Sequence, residues 1–371
     1  MRTMIWTDSD CFAGTERHCL ELAQGLGTMG VSALVGSRPG APLASRSEEV
    51  GVRTVSLDAA SAPWAAVETV AQLLKTRKLD VVHAHNGVTT FLSCVAALRA
   101  GRGKVITTQH FIRPARQGRR GVARVFSQTL HRWMRPRISR WIAISRAVAR
   151  AMEERGDAPS GKIRVVMNGV AAPMENEPER LAARRQIGLS EGAFVILCPA
   201  RLEPEKGHDI LLAALAVLRA EKHNFEAVFM GGGSLRETLQ RRVSELKLGD
   251  CVRLVGHQST PELWMRASDL VVLPSAAEPF GLVLPEAMSR GIPVVAASAG
   301  GPLEIVSPES GLLFSPGDAV DLASKLLELI GSQPLCRRLG LGASARWRSH
   351  FSLARMAAEI ASVYSEVESS P

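Results

Sequence analysis

The sequence has no apolar run long enough to cross a bilayer. Its longest apolar stretches, such as Ile210 to Leu218, fall far short of the roughly 20 residues a spanning helix needs. A signal-peptide core is missing too, because Met1-Arg2-Thr3-Met4-Ile5-Trp6 reaches Asp8 and Asp10 at once. A cytoplasmic protein is therefore expected. The six cysteines (Cys11, Cys19, Cys94, Cys198, Cys251, Cys336) form no C-x-x-C and no finger-like spacing. Such scattered thiols suit a reducing compartment and exclude a disulfide scaffold or a structural zinc module. No G-x-G-x-x-G follows the first strand, which argues against a dinucleotide-dependent dehydrogenase. Tandem repeats and low-complexity tracts are absent.

What remains is an ordinary folded composition. The 371 residues are 46% hydrophobic and 22% charged, with a mean hydropathy of +0.06, enough for two domains with separate cores. The net charge of +9 is concentrated in one place. Between Arg99 and Arg155 stand 15 Lys and Arg against two acids, Glu153 and Glu154, while the rest of the chain carries 30 basic and 34 acidic residues. A solvated basic face would explain this. So would an anionic partner: a phospholipid surface, a phosphorylated substrate or nucleic acid.

Short apolar runs alternate with helical patterns, the rhythm of parallel α/β architecture. In the first half, 81–85, 104–108 and 141–145 read as buried strands, with helices over 16–26, 64–75 and 91–99. A further strand near 164–170 precedes a polar, proline-marked stretch. The rhythm then restarts: strands over 193–200, 225–230, 252–255, 270–274 and 292–297, with helices over 209–221 and 234–247. Two doubly wound domains facing a cleft are predicted. The first is 1–171, joined by a C-terminal helix at about 352–371; 172–192 is a linker, and 193–351 forms the second domain. In such sheets, ligands bind beyond the carboxyl ends of the strands, and the candidate motifs fall there.

After the strand ending at Pro274 comes Ser275-Ala276-Ala277-Glu278-Pro279-Phe280-Gly281-Leu282-Val283-Leu284-Pro285-Glu286. Pro279 and Gly281 mark a loop, and Pro285 is tolerable only in a first helical turn, so a helix starts near Gly281 or Leu282. Glu278 then sits on the loop and Glu286 one turn into the helix, whose free N–H groups face an anion. Two carboxylates there suit recognition of vicinal hydroxyls; alone, they would equally suit a helix cap and a solvated acid. Arg201-Leu202-Glu203-Pro204-Glu205-Lys206-Gly207-His208-Asp209 follows an earlier strand, with two cations able to hold a diphosphate and Asp209 as the expected N-cap. Gly300-Gly301-Pro302-Leu303-Glu304 is a tight turn that lets backbone approach a ligand, and Gly231-Gly232-Gly233 reads equally well as a plain strand-to-helix turn.

This ordered set resembles the family-four retaining glycosyltransferases of GT-B fold, over nearly the whole chain and most closely from Arg201 to Leu313. The resemblance rests on E-x7-E (Glu278, Glu286), R-x4-K-G (Arg201, Lys206, Gly207), G-G-x-x-E (Gly300, Gly301, Glu304) and Ser310-Gly311-Leu312-Leu313. It implies that Arg201 and Lys206 bind the diphosphate of a nucleotide-sugar donor. Glu278 and the backbone of Phe280, Gly281 and Leu282 would hold the donor sugar, Glu286 the ribose, and Gly256-His257 the base. In the first half, Phe12-Ala13-Gly14-Thr15-Glu16 resembles a G-G-x-E loop near the donor phosphate. Ala13 replaces its first glycine, which is disfavoured if that position needs φ > 0. Thr108-Gln109-His110 resembles a T-x-H whose histidine lies beside the reacting sugar; otherwise His110 is a satisfied polar residue at a strand end. Asn168-Gly169-Val170 resembles the N-G-V closing the first domain, and Arg348–Phe351 with Tyr364 the C-terminal helices, the last of which crosses back to that domain.

The resemblance further implies transfer with retention by same-face attack, the leaving phosphate serving as base, and neither cofactor nor metal. His83 and His85 share one side of a strand, but no third metal ligand is evident nearby. From Val122 the apolar positions Val122, Val125, Phe126, Leu130, Trp133 and Met134 keep helical spacing among arginines, a stripe suited to core packing or to an anionic membrane surface. The acceptor expected is a glycan or lipid-linked molecule at the inner membrane face, in bacterial surface polysaccharide or lipopolysaccharide-type synthesis. The rival readings are a nucleotide-sugar epimerase of the same fold, and an anion-binding protein using Arg99–Arg155. Nucleic acid is not expected, since only Phe111, Phe126, Trp133 and Trp141 interrupt that segment and no RNA-binding signature appears.

Overall fold

The computed structural model describes residues 1–112 and 129–369. They fall into two compact units: the chain up to Gly169 together with the stretch from Leu353 onward, and Val170–Ser352.

The first unit is built on a parallel sheet of β1 (Arg2–Trp6), β2 (Ser32–Ser37), β3 (Thr54–Ser56), β4 (Val81–Ala84), β5 (Lys104–Gln109), β6 (Ile138–Ala143) and β7 (Ile163–Val165), in the order β3-β2-β1-β4-β5-β6-β7. Helices α1 (Gly14–Thr28), α2 (Pro42–Glu49), α3 (Pro63–Lys75), α4 (Gly87–Ala100) and α5 (Arg146–Arg155) flank it. Strands covered on both faces read as near-continuous apolar runs, and Met4, Ile5, Trp6, Val81 and Val82 are fully buried. The C-terminal helix, Leu353–Ser369, belongs to this unit. Its Met356, Ile360, Val363 and Tyr364 pack with Cys19, Leu22, Ala23 and Leu26 of α1.

The second unit has a parallel sheet of β8 (Phe194–Pro199), β9 (Phe225–Met230), β10 (Val252–Gly256), β11 (Leu270–Leu273), β12 (Val294–Ala297) and β13 (Gly311–Phe314), ordered β10-β9-β8-β11-β12-β13. Around it lie α6 (Arg180–Ile187), α7 (His208–Ala220), α8 (Arg236–Glu245), α9 (Pro261–Ala267), α10 (Val283–Ser289), α11 (Pro302–Ile305), α12 (Ala319–Ile330) and α13 (Gln333–Arg346). The expected 172–192 linker contains a docked helix. The buried Arg184 of α6 donates to the carbonyl oxygens of Ala267 and Ala193, at 2.9 and 3.0 Å, and pairs with Asp269. Polar composition read as a linker because the docking group is itself an arginine.

Both sheets reverse strand order at one point, between β1 and β4 in the first and between β8 and β11 in the second. Loops after those strands diverge and leave room for a ligand. Loops 7–13 and 85–86 meet this description in the first unit, as do loops 200–207 and 274–282 in the second.

Candidate functional site

In the second unit, the loop after β8 forms a short 3-10 turn, Pro204–Lys206, before α7. Lys206 Nζ meets Glu278 Oε2 at 2.7 Å, joining the β8 and β11 loops across the strand-order reversal. Glu278 is 8% exposed, so its carboxylate depends on this partner for most of what water would supply. Arg201 lies on the surface, paired with Glu205 Oε1 at 2.9 Å. The N-cap of α7 is Gly207, in the left-handed region, without a side-chain cap. Asp209 therefore stands in the first turn, where a carboxylate favours the helix dipole without capping it.

The Glu278 loop is held in place by backbone. Gly300, at φ +64°, lies against it so closely that a Cβ would sit 2.2 Å from the Glu278 carbonyl oxygen. A Cβ on Gly301 would sit 2.4 Å from Phe280 Cα. The Gly301 N–H donates to the Glu278 oxygen at 2.9 Å. The Gly300-Gly301 turn thus cradles protein backbone. Gly231–Gly233 has a similar task, since the N–H of Leu202 donates to the Gly232 oxygen at 2.8 Å. Phe280 is 2% exposed and packs edge-on against Phe351; Gly281 is also buried. Helix α10 begins at Val283 with Leu282 as N-cap, placing Glu286 in its first turn. His257 is exposed just beyond β10. The fully buried Ser275 has an Oγ that makes no hydrogen bond.

In the first unit, Gly14 opens α1, and the Ala13 N–H donates to Glu16 Oε2 at 3.0 Å. Ala13 has φ −127°, an extended conformation that alanine adopts without strain. The concern over its missing glycine does not arise. His83 is held on both ring nitrogens, by Tyr364 Oη at 2.6 Å and Thr108 Oγ1 at 2.7 Å. His85 Nδ1 and His110 Nε2 share a hydrogen bond of 2.9 Å. His18, on α1, completes the group, its ring centroid 5.3 Å from that of His85 and 4.9 Å from that of His110. Contrary to the expectation that no further histidine stands near His83 and His85, His18 and His110 both lie beside His85. One ring nitrogen each of His18, His85 and His110 lies within 4.8 Å of the other two, while His83 is occupied elsewhere. These three residues come from separate elements, 25 or more positions apart, and no local spacing announces them.

Burial keeps these imidazoles neutral. Desolvation lowers His18 to about 4, against a small opposing effect of the nearby Asn168 amide, and lowers His83 to about 3. His85 and His110 are pushed well below the usual histidine value, by desolvation first and by their ring neighbours second. In the second unit, burial likewise lowers His208 to about 4.

Of the basic segment, residues 113–128 lie outside the described residues, and with them half of the amphipathic stripe, Val122, Val125 and Phe126. Trp133 packs on Phe91 of α4 and Met134 is buried, so this end faces the protein. Arg99, Arg102, Arg140 and Arg155 pair with Glu68, Asp80, Glu366 and Asp157, which neutralises part of the basic excess.

Two family models match the chain. "Glycosyltransferase Family 4" covers residues 12–172 and "Glycosyl transferases group 1" covers 179–346. A D-inositol 3-phosphate glycosyltransferase of Thermobispora bispora is 35% identical over 239 residues, which are 61% of this chain and 56% of that protein. The chain thus spans about half the length of the curated relatives it matches. An uncharacterized glycosyltransferase of Methanocaldococcus jannaschii is 29% identical over 68% of this chain and 66% of its own. Among solved structures, Anabaena HepE in complex with UDP superposes with TM-score 0.82 at 25% identity, over 99% of this chain and all of that one. A glycosyltransferase from Rickettsia africae shares the fold with TM-score 0.84 at 21% identity, over 100% and 99%. Two parallel doubly wound units, motifs at their strand-order reversals and models matching each half agree: the chain belongs to the group-1, family-four glycosyltransferases of GT-B fold.

Proposed function

We propose that the chain transfers a glycosyl group from a nucleoside-diphosphate sugar, with retention at the anomeric carbon, to a phosphorylated or lipid-linked glycan acceptor in surface-polysaccharide or lipopolysaccharide-type synthesis. The observation that carries this reading is the Lys206–Glu278 pair, braced by the Gly300-Gly301 turn at the β8/β11 reversal. A cation and a carboxylate held together in this way suit a ligand with phosphate at one end and hydroxyls at the other. The solved structures of HepE with UDP and with UDP-glucose support it.

In this reading the difficult step is departure of the diphosphate as negative charge grows on it. Lys206 and Arg201 stabilise that charge, and losing one such group costs about 10²–10³ in rate. Neither the diphosphate nor the sugar requires a metal or cofactor there. Arg201 is exposed and turns from Glu205 to the phosphate, exchanging a surface pair of low worth for a charge-assisted one. Glu278 orients the sugar; ion-paired with Lys206, it is a poor nucleophile. Glu286 takes the ribose hydroxyls, His257 the base, the backbone of Phe280, Gly281 and Leu282 the sugar, and Gly14 at the start of α1 the donor phosphate. His110 stands beside the reacting sugar. The basic first unit favours an acceptor with phosphate, at the inner membrane face. No helix among the described residues is long and apolar enough to cross a membrane, so a membrane hold would be peripheral, through Arg99–Arg155.

The test is product analysis with a nucleotide-sugar panel and the Lys206→Ala and Glu278→Ala variants. Transfer with unchanged anomeric configuration, lost in both folded variants, is expected. Normal turnover in either variant, or an epimerised sugar nucleotide without transfer, would overturn the reading.

A further inference from the structure

One hydrogen bond orients the ring of His110, the first-unit residue placed beside the donor sugar. His85 Nδ1 and His110 Nε2 stand 2.9 Å apart, with 29° between the ring planes and 5.2 Å between the centroids. Among the described residues neither ring makes another. His85 is 2% exposed and His110 7%, and desolvation keeps both imidazoles neutral. A neutral imidazole has one N–H and one lone pair. One ring must therefore donate to the other, so the bond sets both the plane of His110 and the nitrogen that carries its proton. With Nε2 engaged, Nδ1 is the nitrogen of His110 left to meet a ligand.

We propose that His85 is a positioning residue for the transfer: its hydrogen bond turns His110 so that Nδ1 meets a hydroxyl of the donor sugar. The proposal rests on the donor reading given above. An imidazole kept at position 85 for packing alone would be costly. Burial leaves its Nε2 without a partner, a penalty that an apolar side chain of similar shape would not carry. What its Nδ1 does to His110 accounts for the imidazole.

His85 is itself held in place. Its backbone N–H donates to the Trp6 oxygen at 3.0 Å, which ties the end of β4 to β1. His83, clamped between Tyr364 and Thr108, lies beside it, the ring centroids 4.3 Å apart. Thr108 stands two residues before His110, so the same clamp joins the ends of β4 and β5 from which His85 and His110 project. His18 closes the group from α1, edge-on to His110 at 4.9 Å between centroids. It makes no hydrogen bond, so it limits the space around His110 without choosing its orientation.

Asparagine and leucine at position 85 separate orientation from packing. Both branch at Cγ, where histidine carries Nδ1. Asparagine keeps a hydrogen-bonding atom at that δ position, and leucine puts a methyl group there. Leucine suits a buried site better than an amide does, so His85→Leu should melt no lower than His85→Asn. Activity should run in the opposite order. In the full chain, His85→Asn should keep most of its kcat/KM for the sugar nucleotide, whereas His85→Leu should lose about 10–100-fold. Both variants should bind the nucleoside diphosphate alone as the unaltered protein does, since Lys206 and Arg201 are untouched. Nitrogen NMR of ring-labelled histidine, read on the unaltered protein, decides the matter even if a variant fails to fold. Adding the sugar nucleotide should move the Nδ1 resonance of His110 more than its Nε2 resonance. Equal activity in all three proteins, activity that follows stability, or an Nε2 shift in place of the Nδ1 shift would overturn the proposal. An unaltered protein that transfers from no sugar nucleotide would overturn the donor reading, and the proposal with it.

Discussion

Gly300 offers a way to displace Glu278 without touching its side chain. Alanine at this position meets two costs. The first is conformational: φ is +64°, and a Cβ in the left-handed region costs roughly 1–2 kcal/mol. The second is steric. The new Cβ would lie 2.2 Å from the Glu278 carbonyl oxygen, where ordinary contact begins at 3.4 Å. That oxygen belongs to backbone, already bonded to the Gly301 N–H, so the Glu278 peptide must retreat by about 1 Å, adding about 1–3 kcal/mol. Gly317 separates the two costs. It has φ +79° with nothing within 4 Å of its Cβ, so Gly317→Ala carries the conformational cost alone. For a unit of this size each kcal/mol lowers the melting temperature by about 2–4 °C. Gly317→Ala should therefore lose about 1–2 kcal/mol and keep full transfer activity. Gly300→Ala should lose about 2–5 kcal/mol, and its activity at a temperature where it remains folded should fall about 10²-fold, as a 1 Å misplacement can cause. Thermal unfolding and initial rates, measured side by side, check this. Equal melting shifts with equal activity in the two variants would refute the argument that the turn positions Glu278.

Further outcomes follow from the same geometry. Acid should destabilise the protein through its buried histidines. With His18 at about 4 and His83 at about 3 in the native state, the unfolded chain binds more protons below about pH 6.5. Stability therefore falls as pH drops through this window, by up to about 1.4 kcal/mol per pH unit for each; denaturant melts at pH 7 and pH 5 with equal midpoints would contradict it. Tyr364→Phe removes one of the two partners of His83 and should cost about 1–3 kcal/mol while leaving nucleotide binding unchanged; a chemical melt and a nucleotide titration measure both. Finally, co-sedimentation with anionic vesicles should be salt-sensitive. A protein that stays in the supernatant at low salt would remove the membrane part of the proposed function.

Much of the second unit was legible in the sequence because its strands are short apolar runs ended by glycine or proline. The runs at 225–230 and 252–255 fall on β9 and β10, and Pro285 correctly marked a first helical turn. Elements with weaker patterns escaped. Ser32–Ser37 and Thr54–Ser56 are edge-side strands whose apolar residues are broken by serine and threonine; α12, by contrast, carries a regular apolar stripe of Leu322, Ala323, Leu326 and Leu329 that marks a helix in the sequence. The linker failed for a different reason, since a helix with mean polar character docked through Arg184. Within the candidate site, order and spacing along the chain pointed to Lys206 and Glu278. Their contact joins residues 72 positions apart, which no spacing conveys. The histidine group is hidden in the same way: His83 and His85 are neighbours in the sequence, although His83 bonds Tyr364 and Thr108 while His85 bonds His110.

The central claim is a nucleoside-diphosphate sugar held by Lys206 and Glu278. The most direct measurement is the melting temperature of the protein and of Lys206→Ala with uridine, guanosine and adenosine diphosphates and their sugar conjugates. At 100 times its dissociation constant, a ligand of the native state adds about 2.7 kcal/mol, or about 5–10 °C for a unit of this size. A shift with one base, absent in Lys206→Ala, is the predicted result. No shift with any nucleotide, or a shift that persists in the variant, would contradict the account.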